Sequence, residues 1–219
     1  MQITAIAAFA VVSTVRVYAC YSHNKKLKDI SKGFIMPTLL WFYLVAAPVI
    51  YPEVVAAIIM SFLGDMLLIK DSWLTAGGFA FFFAHISYIL HYLRDIDFYK
   101  IPIYFFLLPA LIYVGVAVTL ALLVKGHVSK SHMAGASGYI IAVCVMSWFA
   151  LMRLFCLGGV GGWLTFVGTL FFIASDYSLM LREFRKDIMK FKHKYALVMV
   201  TYIVAQFLII LGIVQTISA

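Results

Sequence analysis

Charge is what this chain has least of: 12 % of its 219 residues are charged, and only nine are acidic. With 65 % hydrophobic residues and a mean hydropathy of +1.04, a water-soluble core of this size is excluded. No stretch between the apolar runs is long or polar enough to make a soluble domain, and strand-like alternation is missing, which disfavours a β-barrel. The three cysteines, Cys20, Cys144 and Cys156, are odd in number and lie in or beside apolar runs, so they read as packing residues without a disulfide framework. No basic segment precedes the first apolar run. That run therefore reads as a retained helix, and the loose lipoprotein-like box Val17-Tyr18-Ala19-Cys20 lacks the upstream lysines of a signal.

What is present is a series of apolar runs of spanning length, each needing about 20 residues. Eight are expected, at about 3–21, 33–50, 52–69, 73–93, 101–123, 133–153, 161–181 and 195–217. The expected fold is an all-α membrane protein, a single bundle of eight transmembrane helices formed by one domain over residues 1–219. Short separators carry most of the charge, among them His23 to Asp29, Tyr51-Pro52-Glu53, Lys70-Asp71, Arg94 to Asp97, Lys125-Gly126-His127, Leu157-Gly158-Gly159 and the basic run from Arg182 to Lys194.

Loop lysines and arginines set the expected orientation. One set of loops holds Lys25, Lys26, Lys28, Lys32, Lys70, Lys125, Lys130, Arg182, Arg185, Lys186, Lys190, Lys192 and Lys194, thirteen in all. The other loops and their helix ends hold Arg94, Lys100 and Arg153, with Arg16 inside the first helix. Thirteen against three places both termini outside the cytosol. The net charge of +8 is then mostly topology and calls for no nucleic-acid partner.

Against this background two aspartates stand out, Asp65 and Asp176. An ionised carboxylate at the bilayer centre costs roughly 2.5 kcal/mol or more, so intramembrane acids default to function. Counting from the expected helix ends at about 1.5 Å per residue places both about 6–8 Å below the cytoplasmic interface. Arg16 and Tyr139 fall near that level, His85 and Gln206 in a deeper layer, and Tyr202 between. Ser61 and Asp65 share a helix face at i and i+4; Thr165, Thr169, Phe172 and Asp176 form a second stripe, and His85, Tyr88 and Tyr92 a third. Gly64, Gly77, Gly78 and Gly168 allow close helix approach beside these faces. A polar pocket open toward the cytoplasmic leaflet satisfies the whole set.

Each feature has a plainer reading. A single aspartate could pair with Arg16 to hold the bundle, His85 could be a hydrogen-bonded packing residue, and Gln206 inter-helix glue. The aromatic run Phe79 to Phe83 reads as lipid-facing or packing surface without site content. Among the histidines, His23, His85, His91, His127, His132 and His193, only His85 falls deep in a segment, so no metal site with three or four converging ligands is expected. There is no Gly-x-Ser-x-Gly elbow and no phosphate-binding glycine loop.

Four segments in order resemble the lysoplasmalogenase (YhhN-like) family of eight-helix membrane proteins. They are Ser61-Phe-Leu-Gly64-Asp65-Met-Leu-Leu68, Phe83-Ala-His85-Ile-Ser-Tyr88-Ile, Gly168 to Leu179 with its Ser175-Asp176 pair, and Tyr202-Ile-Val-Ala205-Gln206-Phe-Leu208. One departure is that Lys32 is followed by Gly33 where the family commonly has lysine-proline, with proline arriving at Pro37. The resemblance implies hydrolysis of the vinyl ether of a lysoplasmalogen to a fatty aldehyde and a glycerophospho-head group.

A vinyl ether is cleaved by protonation at its β-carbon and capture of the oxocarbenium ion by water, work suited to one acid and one base. The expected catalytic pair is Asp65 and Asp176. Ser61, His85, Tyr88, Tyr139, Ser175, Tyr202 and Gln206 are expected to line the substrate, and Lys32, Arg182 or Arg16 to neutralise its phosphate. The expected partners are the lysophospholipid and membrane lipids, without cofactor, metal or obligatory protein partner. Two other classes use buried acids. An intramembrane aspartyl protease needs glycine where Phe62 stands, and a proton-linked transporter or lipid-binding protein predicts internal repeats or broken helices.

Overall fold

The computed structural model describes residues 1–22, 24–127 and 130–218, and their side chains except those of Asp71 and residues 130–136. His23, and the side chains of Asp71, Lys130 and His132, therefore lie outside the described residues. The elements are helical: α1 (Gln2–Tyr21), α2 (Lys25–Ala46), α3 (Pro52–Leu67), α4 (Leu74–Leu93), α5 (Ile103–Val124), α6 (Lys130–Leu157), α7 (Gly159–Phe184) and α8 (Lys194–Ser218). A single 3-10 turn, Asp71–Trp73, joins α3 to α4, and no strand occurs among the described residues.

Local chemistry sets several of these ends. Asn24 caps α2 by accepting from the Leu27 backbone N–H at 3.1 Å, satisfying one of the free amides of a first turn. The helix can therefore begin at Lys25, eight residues before the expected 33, and it absorbs the basic separator. Pro52 opens α3 at a position where its missing N–H costs nothing. Gly158 and Gly159, at φ of 63° and 67°, make the tight reversal between α6 and α7.

Six of the eight helices are long and apolar enough to cross a membrane: α1, α4, α5, α6 from Ser137, α7 and α8. The other two fall short for different reasons. At 16 residues α3 is about 24 Å long, and α2 spends its first two turns on Lys25, Lys26, Lys28, Asp29 and Lys32. The expectation of spanning helices holds for these six.

Helix α7 runs against α8 at very short range. A Cβ on Gly161 would lie 2.8 Å from the Gly212 carbonyl, and one on Gly168 2.8 Å from the Ile209 nitrogen, so only glycine permits the contact. Helices α3 and α4 pack together, as do α1 and α2, while α4 also packs on α6. Helix α5 rests mainly on α6 and exposes Leu107, Leu111 and Ile112 along its outer face. Most of the buried polar side chains lie on α3, α4, α6, α7 and α8, with Arg16 of α1 and Lys32 of α2 among the others.

Candidate active site

Two rungs tie α3 to α8. Ser61 and Asp65 are four residues apart on α3, Tyr202 and Gln206 four apart on α8, so each pair presents one face. Tyr202 Oη donates to Asp65 Oδ2 at 2.8 Å, and Gln206 Nε2 donates to Ser61 Oγ at 3.0 Å. Tyr88 of α4 then donates to Gln206 Oε1 at 2.7 Å. The other Asp65 oxygen, Oδ1, faces Lys32 Nζ of α2 at 3.4 Å. Lys32, expected to meet phosphate, thus lies on a carboxylate instead. The pair is buried, at 10 % and 3 % side-chain exposure, so each group has the other as its close compensating charge where water is excluded.

Asp176 has different neighbours. Its Oδ2 lies 3.7 Å from His85 Nε2, too long for a hydrogen bond, and has no hydrogen-bond partner among the described residues. The His85 ring is held by Phe172 at 4.9 Å edge-on and by Tyr139 at 5.4 Å. Tyr139 is within electrostatic reach of both Asp176 and Asp65. His85 therefore lies beside Asp176 and not in a separate deeper layer. The layering shifts because Asp176 stands eight residues before the end of α7, and Asp65 only two before the end of α3.

An aromatic trio joins the two centres. Tyr202, which holds Asp65, meets Phe172 at 5.7 Å and 90°, and Phe172 meets His85 beside Asp176. Phe81 completes the trio at 6.5 Å from Phe172 and 5.8 Å from Tyr202. Within the Phe79–Phe83 run, expected to be lipid-facing or packing surface, Phe79 and Phe83 are exposed and Phe81 is buried, packing at the junction of the two centres. Gly64 makes room for it, since a Cβ there would lie 2.6 Å from the Phe81 ring.

The remaining expected residues divide. Ser175 donates to the Val198 carbonyl at 3.0 Å and ties α7 to α8, its hydroxyl proton committed there. Arg182 pairs with Glu183 at 2.5 Å and lies over the Tyr195 ring at 4.6 Å, with Lys28 over the same ring at 4.5 Å. Arg16 donates to the Lys28 carbonyl, contacts Met199 Sδ at 3.2 Å, and is within electrostatic reach of Asp65 and Arg182. It makes no ion pair with either aspartate among the described residues, so the bundle-holding Arg16–aspartate pair is not formed. Arg16, Lys28 and Arg182 instead form a basic cluster at the Asp65 end. Both carboxylates are closed off, Asp65 at 2 % and Asp176 at 5 % exposure, where an open pocket was expected. A groove of about 440 Å³ lies elsewhere, between α1 and α8, lined by Ser13, Val17, Val200 and Val204 among others.

One polar cluster went unread in the sequence. Arg153 is 1 % exposed, donates from Nε to Asp95 Oδ2 at 2.6 Å, and reaches Thr165 Oγ1 at 3.4 Å. His91 and Tyr92 lie beside it and are also buried. Ending the sixth segment at 153 put Arg153 at the helix end, among the outer loop and helix-end charges. The apolar Leu154 to Leu157 continuing beyond it were the available signal that it is inside the helix.

The chain matches the YhhN family over residues 27–213 and belongs to that family, the family of lysoplasmalogenases. No curated protein and no solved structure matches it. With the six apolar helices, membership describes a multi-pass membrane protein.

Proposed function

From membership of the YhhN family, we propose that this protein is an integral-membrane ether hydrolase acting on lysoplasmalogens, with all eight helices embedded and both termini outside the cytosol. The observation that carries the reading is two buried aspartates with unlike partners, bridged by Tyr202 and Phe172. Asp176 with His85 delivers a proton to the β-carbon of the vinyl ether. The resulting oxocarbenium ion is captured by a water whose proton passes to Asp65, the carboxylate that Lys32 faces. The hemiacetal collapses to aldehyde and the glycerol hydroxyl, consuming one water and leaving the proton count unchanged. Arg16, Lys28 and Arg182 receive the phosphate, and the alkenyl chain runs among the apolar side chains. A scissile bond just below a head group matches this depth order.

The test gives purified protein a lysoplasmalogen and, separately, an ester-linked lysophospholipid. Aldehyde from the first and no fatty acid from the second is expected, because no activated serine or cysteine nucleophile is assembled for ester cleavage among the described residues. A folded protein that yields no aldehyde moves the reading to lipid binding or proton-linked transport, the other uses of buried acids.

A further inference from the structure

We propose that a file of buried polar groups carries water from the Asp95 end of the bundle inward to the Asp65 centre. The file begins where Tyr202 holds Asp65, and one turn along α8 Gln206 accepts from Tyr88 at 2.7 Å. One turn further on α4, the Tyr92 ring stacks on Tyr88 with centroids 6.2 Å apart. The Arg153 guanidinium lies 5.8 Å from the Tyr92 ring centre, and Arg153 reaches Asp95, whose side chain is 30 % exposed. A polar track therefore runs from a wetted carboxylate at one end of the helices to a dry one near the other.

The track has three steps without a hydrogen bond, Tyr202 to Gln206, Tyr88 to Tyr92 and Tyr92 to Arg153, and the unsatisfied atoms belong to residues at the outer two. Tyr92 Oη, one Arg153 Nη and both ring nitrogens of His91 have no hydrogen-bond partner among the described residues. Tyr92 is 0 %, and Arg153 and His91 are each 1 % exposed. Buried polar atoms are almost always paired, and leaving one unpaired costs about 1–3 kcal/mol. Four in one cluster provide the partners that ordered water takes, about 2–4 per molecule. A structural strut would need only the Arg153–Asp95 pair. It accounts for neither the Tyr92 hydroxyl nor the His91 ring, and polar side chains at membrane depth commonly mark pathways. The role of supply rests on the hydrolase reading: each turnover consumes a water, and a lysolipid head group at Arg16, Lys28 and Arg182 covers the near end. The hydration itself does not depend on that reading.

The experiment uses the full chain in lipid nanodiscs without substrate, with hydroxyl radicals generated in ¹⁸O-labelled water and read by mass spectrometry. Tyr43 is the internal control, being equally buried but with its hydroxyl accepting the Tyr51 N–H at 2.9 Å. Tyr92 should be labelled about tenfold faster than Tyr43, because bound water lies against it. Equal rates overturn the proposal. In the aldehyde assay, Tyr92→Phe should lower kcat about fivefold with KM unchanged, since water delivery and not lipid binding is impaired. An unchanged kcat overturns the supply role. Labelled Tyr92 in an unaltered protein that releases no aldehyde overturns the hydrolase reading and leaves the water file standing.

Discussion

Asp65 and Asp176 share one bundle and one aromatic bridge, yet they keep different electrostatic company. Asp65 has a lysine at 3.4 Å and a phenol at 2.8 Å, so both oxygens are engaged and its charge is compensated. Asp176 has a histidine at 3.7 Å and an oxygen without a hydrogen-bond partner among the described residues. Two carboxylates in identical settings would be interchangeable. These are not, and the difference divides the proposed reaction, with Asp65 receiving the proton of water and Asp176, through His85, giving one to carbon.

The strongest way to break the comparison is to remove each acid. Asp65→Asn and Asp176→Asn should each lower aldehyde release by roughly 10²-fold or more, since asparagine keeps the shape but neither donates nor accepts the proton. Full activity in either variant would remove that residue from the chemistry. Next come the partners. Lys32→Met leaves Asp65 as an uncompensated buried charge, and losing one member of such a pair costs about 3–5 kcal/mol. Thermal unfolding should show a large loss of stability together with lost turnover. His85→Gln should be milder, with about tenfold lower kcat and little change in melting, because no full ion pair is broken. If the two partner variants behave alike, the asymmetry is not real.

Smaller effects sharpen the packing side. Gly64→Ala puts a methyl group into the Phe81 ring, so it should destabilise by about 1–3 kcal/mol and reduce turnover through Tyr202. The smallest effect lies outside both centres, in the 185–193 connection, where Arg185 holds the Asp187 carboxyl down to about 2 and also donates to the Leu123 carbonyl at 2.7 Å. Because the folded value is depressed from an ordinary one of about 3.9, this pair stabilises above that pH and its contribution is lost as pH falls toward 2. Melting curves of Asp187→Asn and the unaltered protein should differ slightly at neutral pH and converge in acid.

The sequence made the helices legible because apolar runs of spanning length carry a strong signal, and most observed ends fall near the expected ones. Helix α2 was the exception, since its first turns owe their start to the Asn24 cap and not to hydropathy. The residues of the two centres were also legible, as polar groups at helical spacing inside apolar runs. Their pairing was not. Counting from helix ends put His85 below Asp176, when a longer α7 brings them level. Nothing along the chain links Lys32 to Asp65, 33 positions away, except the way α2 packs on α3. Phe81 and Arg153 were passed over for a related reason: in an apolar sequence, one phenylalanine of a run and one arginine near a helix end reveal their surroundings only once the helices are packed.

Protonation of carbon is the central claim, and deuterated water reads it directly. When purified protein cleaves a lysoplasmalogen in heavy water, the deuteron delivered to the β-carbon ends on the aldehyde carbon next to the carbonyl. The released aldehyde, trapped at once and weighed by mass spectrometry, should carry one deuterium at that carbon, with release suppressed in Asp176→Asn. An aldehyde without deuterium at that position would contradict the proposed chemistry.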